Sequence, residues 1–162
     1  MLNELKDEKI RLENTKDFSD FRKENPKSYF YAAFSMYENI DDAEWQLDYY
    51  NQDNGEVTSF ELGKVIKSHT ESKLFQKEKE DPKEIDLEKI KISLDETFSI
   101  INNIKNDKYK DEHENKFIVI LQNINDKQVW NITYLTSELH IINFKIDSTN
   151  GEIIEEKFDS VL

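Results

Sequence analysis

The sequence predicts an α+β protein of two similar units, each a helix packed on an antiparallel sheet. Three observations carry that reading. Stretches of period-two apolar alternation are interrupted by two stretches of helical period, as strands and amphipathic helices require. A run of charged residues divides the chain near its middle. The pattern Trp45-x-Leu47-x-Tyr49 recurs 85 residues later as Trp130-x-Ile132-x-Tyr134.

The elements follow in order. Over residues 2–24, Leu2, Leu5 and Leu12, then Phe18 and Phe21, make an imperfect helical stripe that breaks near Asn14-Thr15. Pro26 closes it, because proline disfavours helix at the residue before it. In "SYFYAAFSMY", Phe30, Ala32, Phe34 and Met36 alternate with Tyr29, Tyr31, Ala33, Ser35 and Tyr37, which suits a strand covered on both faces. "AEWQLDYY" places Trp45, Leu47 and Tyr49 on one face as a half-buried strand. After the "NQDNG" turn, "EVTSFELGKVI" reads as a third strand, bulged at Gly63.

The charged stretch 67–86 is the boundary, with Leu74 and Phe75 as a local anchor. We therefore expect an N-terminal unit over 1–68, a linker over 69–87 and a C-terminal unit over 88–162. In the second unit "LEKIKI" is short extended chain. Ser93 and Glu96 form a Ser-x-x-Glu capping box at the start of a helix striped by Leu94, Phe98, Ile101 and Ile104. "KFIVILQN", "QVWNITYL", "LHIINFKI" and "EIIEEKF" follow as strands.

Composition narrows the functions. With 162 residues the chain is long enough to bury a core, and aromatic residues at 12% argue against disorder. A formal net charge of −13 disfavours nucleic acid and anionic lipid as partners and suits a neutral or basic protein. Without cysteine there is no disulfide, thiol catalysis or zinc-thiolate site. No apolar run reaches membrane-spanning length, so the chain as given reads as cytoplasmic. An export segment preceding it would make it extracellular or membrane-anchored.

Candidate chemistry is sparse. The repeated Asn-Gly-Glu at 54–56 and 150–152 could mark calcium loops. Counting back to the first ligand reaches Tyr50 and Ile146, which cannot serve. Asn-Gly instead signals hairpin turns, read as type I′ with positive φ at both central residues. His69, His113 and His140 are scattered and predict no metal or cofactor. Serines lack a nucleophile elbow and three glycines cannot build a phosphate cradle, so no catalytic residue is assigned. Tyr29, Tyr31, Tyr37 and Tyr50, off the core phase, are the candidate contact surface.

The stretch 88–158, from "ISLDETFSIINNI" to "VWNITYLTSELHIINFKIDSTNGEII", resembles a PepSY domain. The likeness rests on the helix opening at Ser93-x-x-Glu96, the strand Trp130–Tyr134, and the ending Ile146-Asp147-x-x-x-Gly151-Glu152-Ile153. It implies a cystatin-like unit, in tandem if the first half is a copy, with inhibitory or regulatory roles and no catalytic residues. The functional expectation is a non-catalytic protein-binding module of protease-inhibitor-like PepSY type. One alternative is an acidic cytosolic immunity or antitoxin protein facing a basic toxin. Another is a small-ligand-binding or enzymatic cystatin-like fold, marked by a polar pocket holding His140 or paired acids.

Overall fold

The computed structural model describes residues 2–72 and 80–162; the Leu74–Phe75 anchor lies outside the described residues. The N-terminal helical stripe folds as α1 (Leu5–Glu13) and α2 (Lys16–Glu24), broken at Asn14-Thr15. Thr15 makes the break sharp. Its hydroxyl accepts from the Phe18 amide at 3.1 Å and donates to the Leu12 carbonyl at 2.7 Å, capping one helix on the end of the other. The third helix, α3 (Leu94–Lys108), opens with both bonds of the capping box, Glu96 N–H to Ser93 Oγ and Ser93 N–H to Glu96 Oε2.

The strands are β1 (Tyr29–Tyr37), β2 (Gln46–Asn51), β3 (Glu56–Leu62), β4 (Ile66–Ser72), β5 (Glu114–Ile124), β6 (Lys127–Thr136), β7 (His140–Asp147) and β8 (Ile153–Ser160). They form one antiparallel sheet in the order β4-β3-β2-β1-β5-β6-β7-β8. The helices cover one face: Leu5, Leu12, Phe18 and Ile101 join the inward residues of the strands in one buried cluster. No helix among the described residues is long and apolar enough to cross a membrane.

Three expectations change. The first half has four strands, because Gly63 sits in the turn between β3 and β4, where Leu62 pairs with Ile66. Polar β4 lacks the apolar alternation that would reveal it, since it is an exposed edge. "LEKIKI" contains a 3-10 turn at Leu87–Lys89. The stretch read as linker docks: Ile85 is 4% exposed, its amide donates to the Phe30 carbonyl at 2.8 Å, and Tyr29 Oη donates to the Pro82 carbonyl at 2.5 Å.

The turn reading also needs correction. Gly55 and Gly151 have φ of +73° and +77°, but neither Asn54 nor Asn150 is among the residues of positive φ. Both turns are instead closed by the glycine amide donating four residues back, to Asn51 and Asp147 carbonyls. In each, the Asn-Gly-Glu asparagine Oδ1 accepts from the glutamate amide. The two-residue loop with positive φ at both positions is Asn125-Asp126, between Ile124 and Lys127. The two Asn-Gly-Glu turns are locally alike yet join β2 to β3 in one case and β7 to β8 in the other.

The tryptophan pattern, in contrast, marks places with matching contacts. Leu47 faces Phe60 across β2–β3 as Ile132 faces Phe144 across β6–β7. Trp45 Nε1 donates to the Asn3 carbonyl just before α1; Trp130 Nε1 donates to the Ile92 carbonyl just before α3, both at 2.9 Å. Along the helices, Leu5, Glu8 and Leu12 then fall at the same spacing as Leu94, Thr97 and Ile101. The halves join where β1 pairs with β5, Ala32–Tyr37 against Phe117–Gln122. The two indoles meet at 6.4 Å, and Ala33 and Ser35 on the seam strand are small and buried.

Trp45→Phe and Trp130→Phe should each cost about 2 kcal/mol in urea unfolding, leaving a carbonyl without its donor. Because the rings touch, the double variant should depart from additivity. Tyr49 and Tyr134 both bury hydroxyls that have no hydrogen-bond partner among the described residues. Their replacement by Phe should leave the unfolding midpoint unchanged or raise it, since no bond is lost and a desolvation penalty is removed.

Candidate functional site

A groove of about 980 Å³ lies on the helix side of the sheet, at the seam. That volume is at the upper end of the roughly 300–1,000 Å³ typical of ligand pockets. Its floor is aromatic: Tyr37 stacks on Phe117 at 5.2 Å, Phe117 meets Tyr134 edge-on at 5.3 Å, and the indoles of Trp45 and Trp130 close the inner end. One wall is the face of α3 carrying Leu94, Phe98 and Lys105; the other is Leu2–Leu5 with residues 38–41. The capping box fixes where α3 begins, and the Asn3–Trp45 bond fixes where the N-terminal wall stands.

Charge is unevenly distributed around this groove. Among the described residues Lys105 is the single cation in its lining; its ammonium lies 4.3 Å from the Tyr134 ring centroid and pairs with Glu114. Burial holds its pKa below the usual lysine value. Glu4, Glu38 and Asp95 are exposed at the rim, and no ion pair or side-chain hydrogen bond engages their carboxylates among the described residues.

The four tyrosines predicted as a contact surface are not brought together there. Tyr37 lies under the helices, 7% exposed, in the groove floor. Tyr29 and Tyr31 are half-buried on the opposite face beside Tyr50, with ring centroids 5.8 and 6.2 Å from it. Tyr50 is 3% exposed, and its hydroxyl donates to Asp81 Oδ1 at 2.6 Å. The cause is a bulge between Phe30 and Ala32 that reverses the phase of β1, so Phe30 shares a face with Ala33, Ser35 and Tyr37.

The histidines stand away from the groove. His140 Nδ1 is 2.7 Å from Glu112 Oε1, beside the Phe158 ring, and His69 lies in β4. His113 Nδ1 lies 2.5 Å from Glu138 Oε1. Among the described residues no three His, Asp or Glu side chains converge as metal ligands. Sequence reasoning missed the groove. Leu2, Leu5, Leu94 and Phe98 were visible as helix stripes, but their convergence over the seam was not.

No protein-family model matches the chain, and no curated protein matches it. Among solved structures, the crystal structure of a "putative lipoprotein" from Clostridium difficile 630 is similar over 88% of this chain and 90% of its own. The TM-score is 0.56 at 12% identity, a likeness of fold. The class shown is an α+β protein with a few helices packed on a large antiparallel sheet.

The His113–Glu138 contact should be measurable by NMR titration. The bond to Glu138 raises the His113 pKa above 6.5; the His113 amide and ring together lower that of Glu138 to about 2. The contribution of His113 is full below 6.5 and is lost as pH rises through its folded value. That of Glu138 is full above 4.5 and is lost as pH falls towards about 2. Glu138→Gln should return the His113 titration towards 6.5; an unchanged midpoint would show that the contact is absent in solution.

Proposed function

We propose that the chain is a non-catalytic protein-binding module: two PepSY-like, cystatin-like units in tandem, sharing one sheet, with a regulatory or protease-inhibiting role. The observation that carries the reading is the open groove at the seam, with an aromatic floor and apolar walls. Aromatic side chains supply large contact area at low conformational cost, and such floors anchor apolar side chains of a partner. The matching tryptophan–carbonyl bonds and the matching Leu47–Phe60 and Ile132–Phe144 pairs support a duplicated unit. The PepSY-like ending at Ile146–Ile153 supports its kind. The likeness to a protein described as a lipoprotein favours a setting outside the cytoplasm over the cytoplasmic one, which fractionation of the native protein would decide.

Selection of a random displayed peptide library on the immobilised protein should enrich peptides that bind saturably. Replacing Phe98, half-buried on the groove wall, with Ala should weaken the selected peptides several-fold, as truncating a contact residue does. A library from which no binder emerges would sink the protein-binding reading.

A further inference from the structure

The molecule contains a template for what its groove holds. The matching contacts of the two halves relate the wall of α3, with Phe98 and Asn102, to the side of α1 carrying Lys9 and Glu13. Along that side of α1 the place is filled by the chain itself. The segment Glu84–Glu88 lies against Lys6, Lys9, Ile10 and Glu13, leaving a residual cleft of about 380 Å³. Ile85 inserts into the core at 4% exposure, and its amide donates to the Phe30 carbonyl at the end of the β1–β5 pairing. Asp86 is clamped by Gln128, whose amide oxygen accepts from the Asp86 N–H at 2.7 Å and whose amide nitrogen donates to the Asp86 carbonyl at 3.0 Å. One groove is thus occupied by a strip of chain that is extended at Asp86 and enters the 3-10 turn Leu87–Lys89, with Ile85 as its aliphatic anchor; no segment among the described residues fills its counterpart along α3.

Charge tells the two apart. The occupied wall offers a lysine to an acidic occupant: Glu84-Ile85-Asp86-Leu87-Glu88 runs beside Lys6, whose Nζ lies 3.3 Å from Glu88 Oε1, while Lys9 is held by Glu13 of its own helix. The open groove reverses this. Among the described residues, its rim carries the unpaired carboxylates of Glu4, Glu38 and Asp95, and the one lysine in its lining is neutralised by Glu114.

We propose that the open groove along α3 takes an extended peptide segment of a partner protein that inserts an Ile or Leu side chain, as Ile85 does, with Lys or Arg flanking it. The inference rests on the protein-binding reading and names its site and the chemistry of its partner. The apolar anchor supplies affinity, and the rim carboxylates select cationic flanks over anionic ones.

Both tryptophans of the chain line this groove, so intrinsic fluorescence reads its occupancy directly. Three synthetic ten-residue peptides make the test: Ile and Leu flanked by lysines, the same core flanked by glutamates, and the lysine version with Ser replacing Ile and Leu. The lysine-flanked apolar peptide should shift the emission saturably, with the other two binding at least about tenfold more weakly. Doubling as the control for general attraction to an acidic protein, the exposed double variant Glu38→Lys/Asp95→Lys should retain its circular dichroism and reverse the lysine-over-glutamate preference. Equal binding of the two charged peptides, or a preference unmoved by the double variant, would overturn the proposal. Failure of all three peptides while library-selected peptides still bind would also overturn it, leaving the protein-binding reading intact. Failure of the selected peptides as well would remove both.

Discussion

Each indole N–H in this protein is tied to a backbone carbonyl just ahead of a helix, and the rest of the architecture depends on that tie. A buried indole nitrogen without a partner costs about 1–3 kcal/mol, so the bond fixes where the helix must start over the sheet. Trp45 holds the Asn3 carbonyl before α1, and Trp130 holds the Ile92 carbonyl before α3. The two rings then meet across the seam, where Ala33 and Ser35 of β1 are buried. Helix placement, seam packing and the inner end of the groove follow from the same two side chains.

The groove is what remains when these constraints are met with unequal neighbours. On the α1 side the chain returns from β4 to fill the space, bringing Ile85 and a run of acids against Lys6 and Lys9. On the α3 side Phe98 stands where Lys9 stands opposite, and no segment among the described residues crosses it. Two halves with matching cores therefore present different surfaces, because matching contacts lie in the sheet and helix interfaces while the difference lies in what runs over them.

Much of the fold was legible because its signals are local. The helix break at Thr15, the capping box of Ser93 and Glu96, and the inward faces of β6 and β7 depend on residues a few positions apart. What escaped the sequence was set by position in the assembled sheet. β4 is an edge and carries no apolar alternation, while a single bulge at the start of β1 moved Tyr37 from the expected contact surface to the groove floor. The Asn-Gly-Glu pair shows the converse: equal local sequence gives equal local hydrogen bonding, and says nothing of place in the topology. The groove was the least legible feature, since its walls come from the first residues, the β1–β2 connection and α3.

The seam has a consequence for how such a sheet can be assembled. The halves join through their first strands, β1 and β5, in an antiparallel pair over Ala32–Tyr37 and Phe117–Gln122. Taken alone, either half would present that strand as an open edge, next to a tryptophan without the ring it meets across the seam. Two copies of one half could close the same edge with a dyad between them, since an antiparallel first-strand pair is self-complementary. The single chain makes that association intramolecular, and the returning segment around Ile85 lies along one side of it only. The edge is closed within one molecule, and among the described residues one groove is filled by the chain while the other is not.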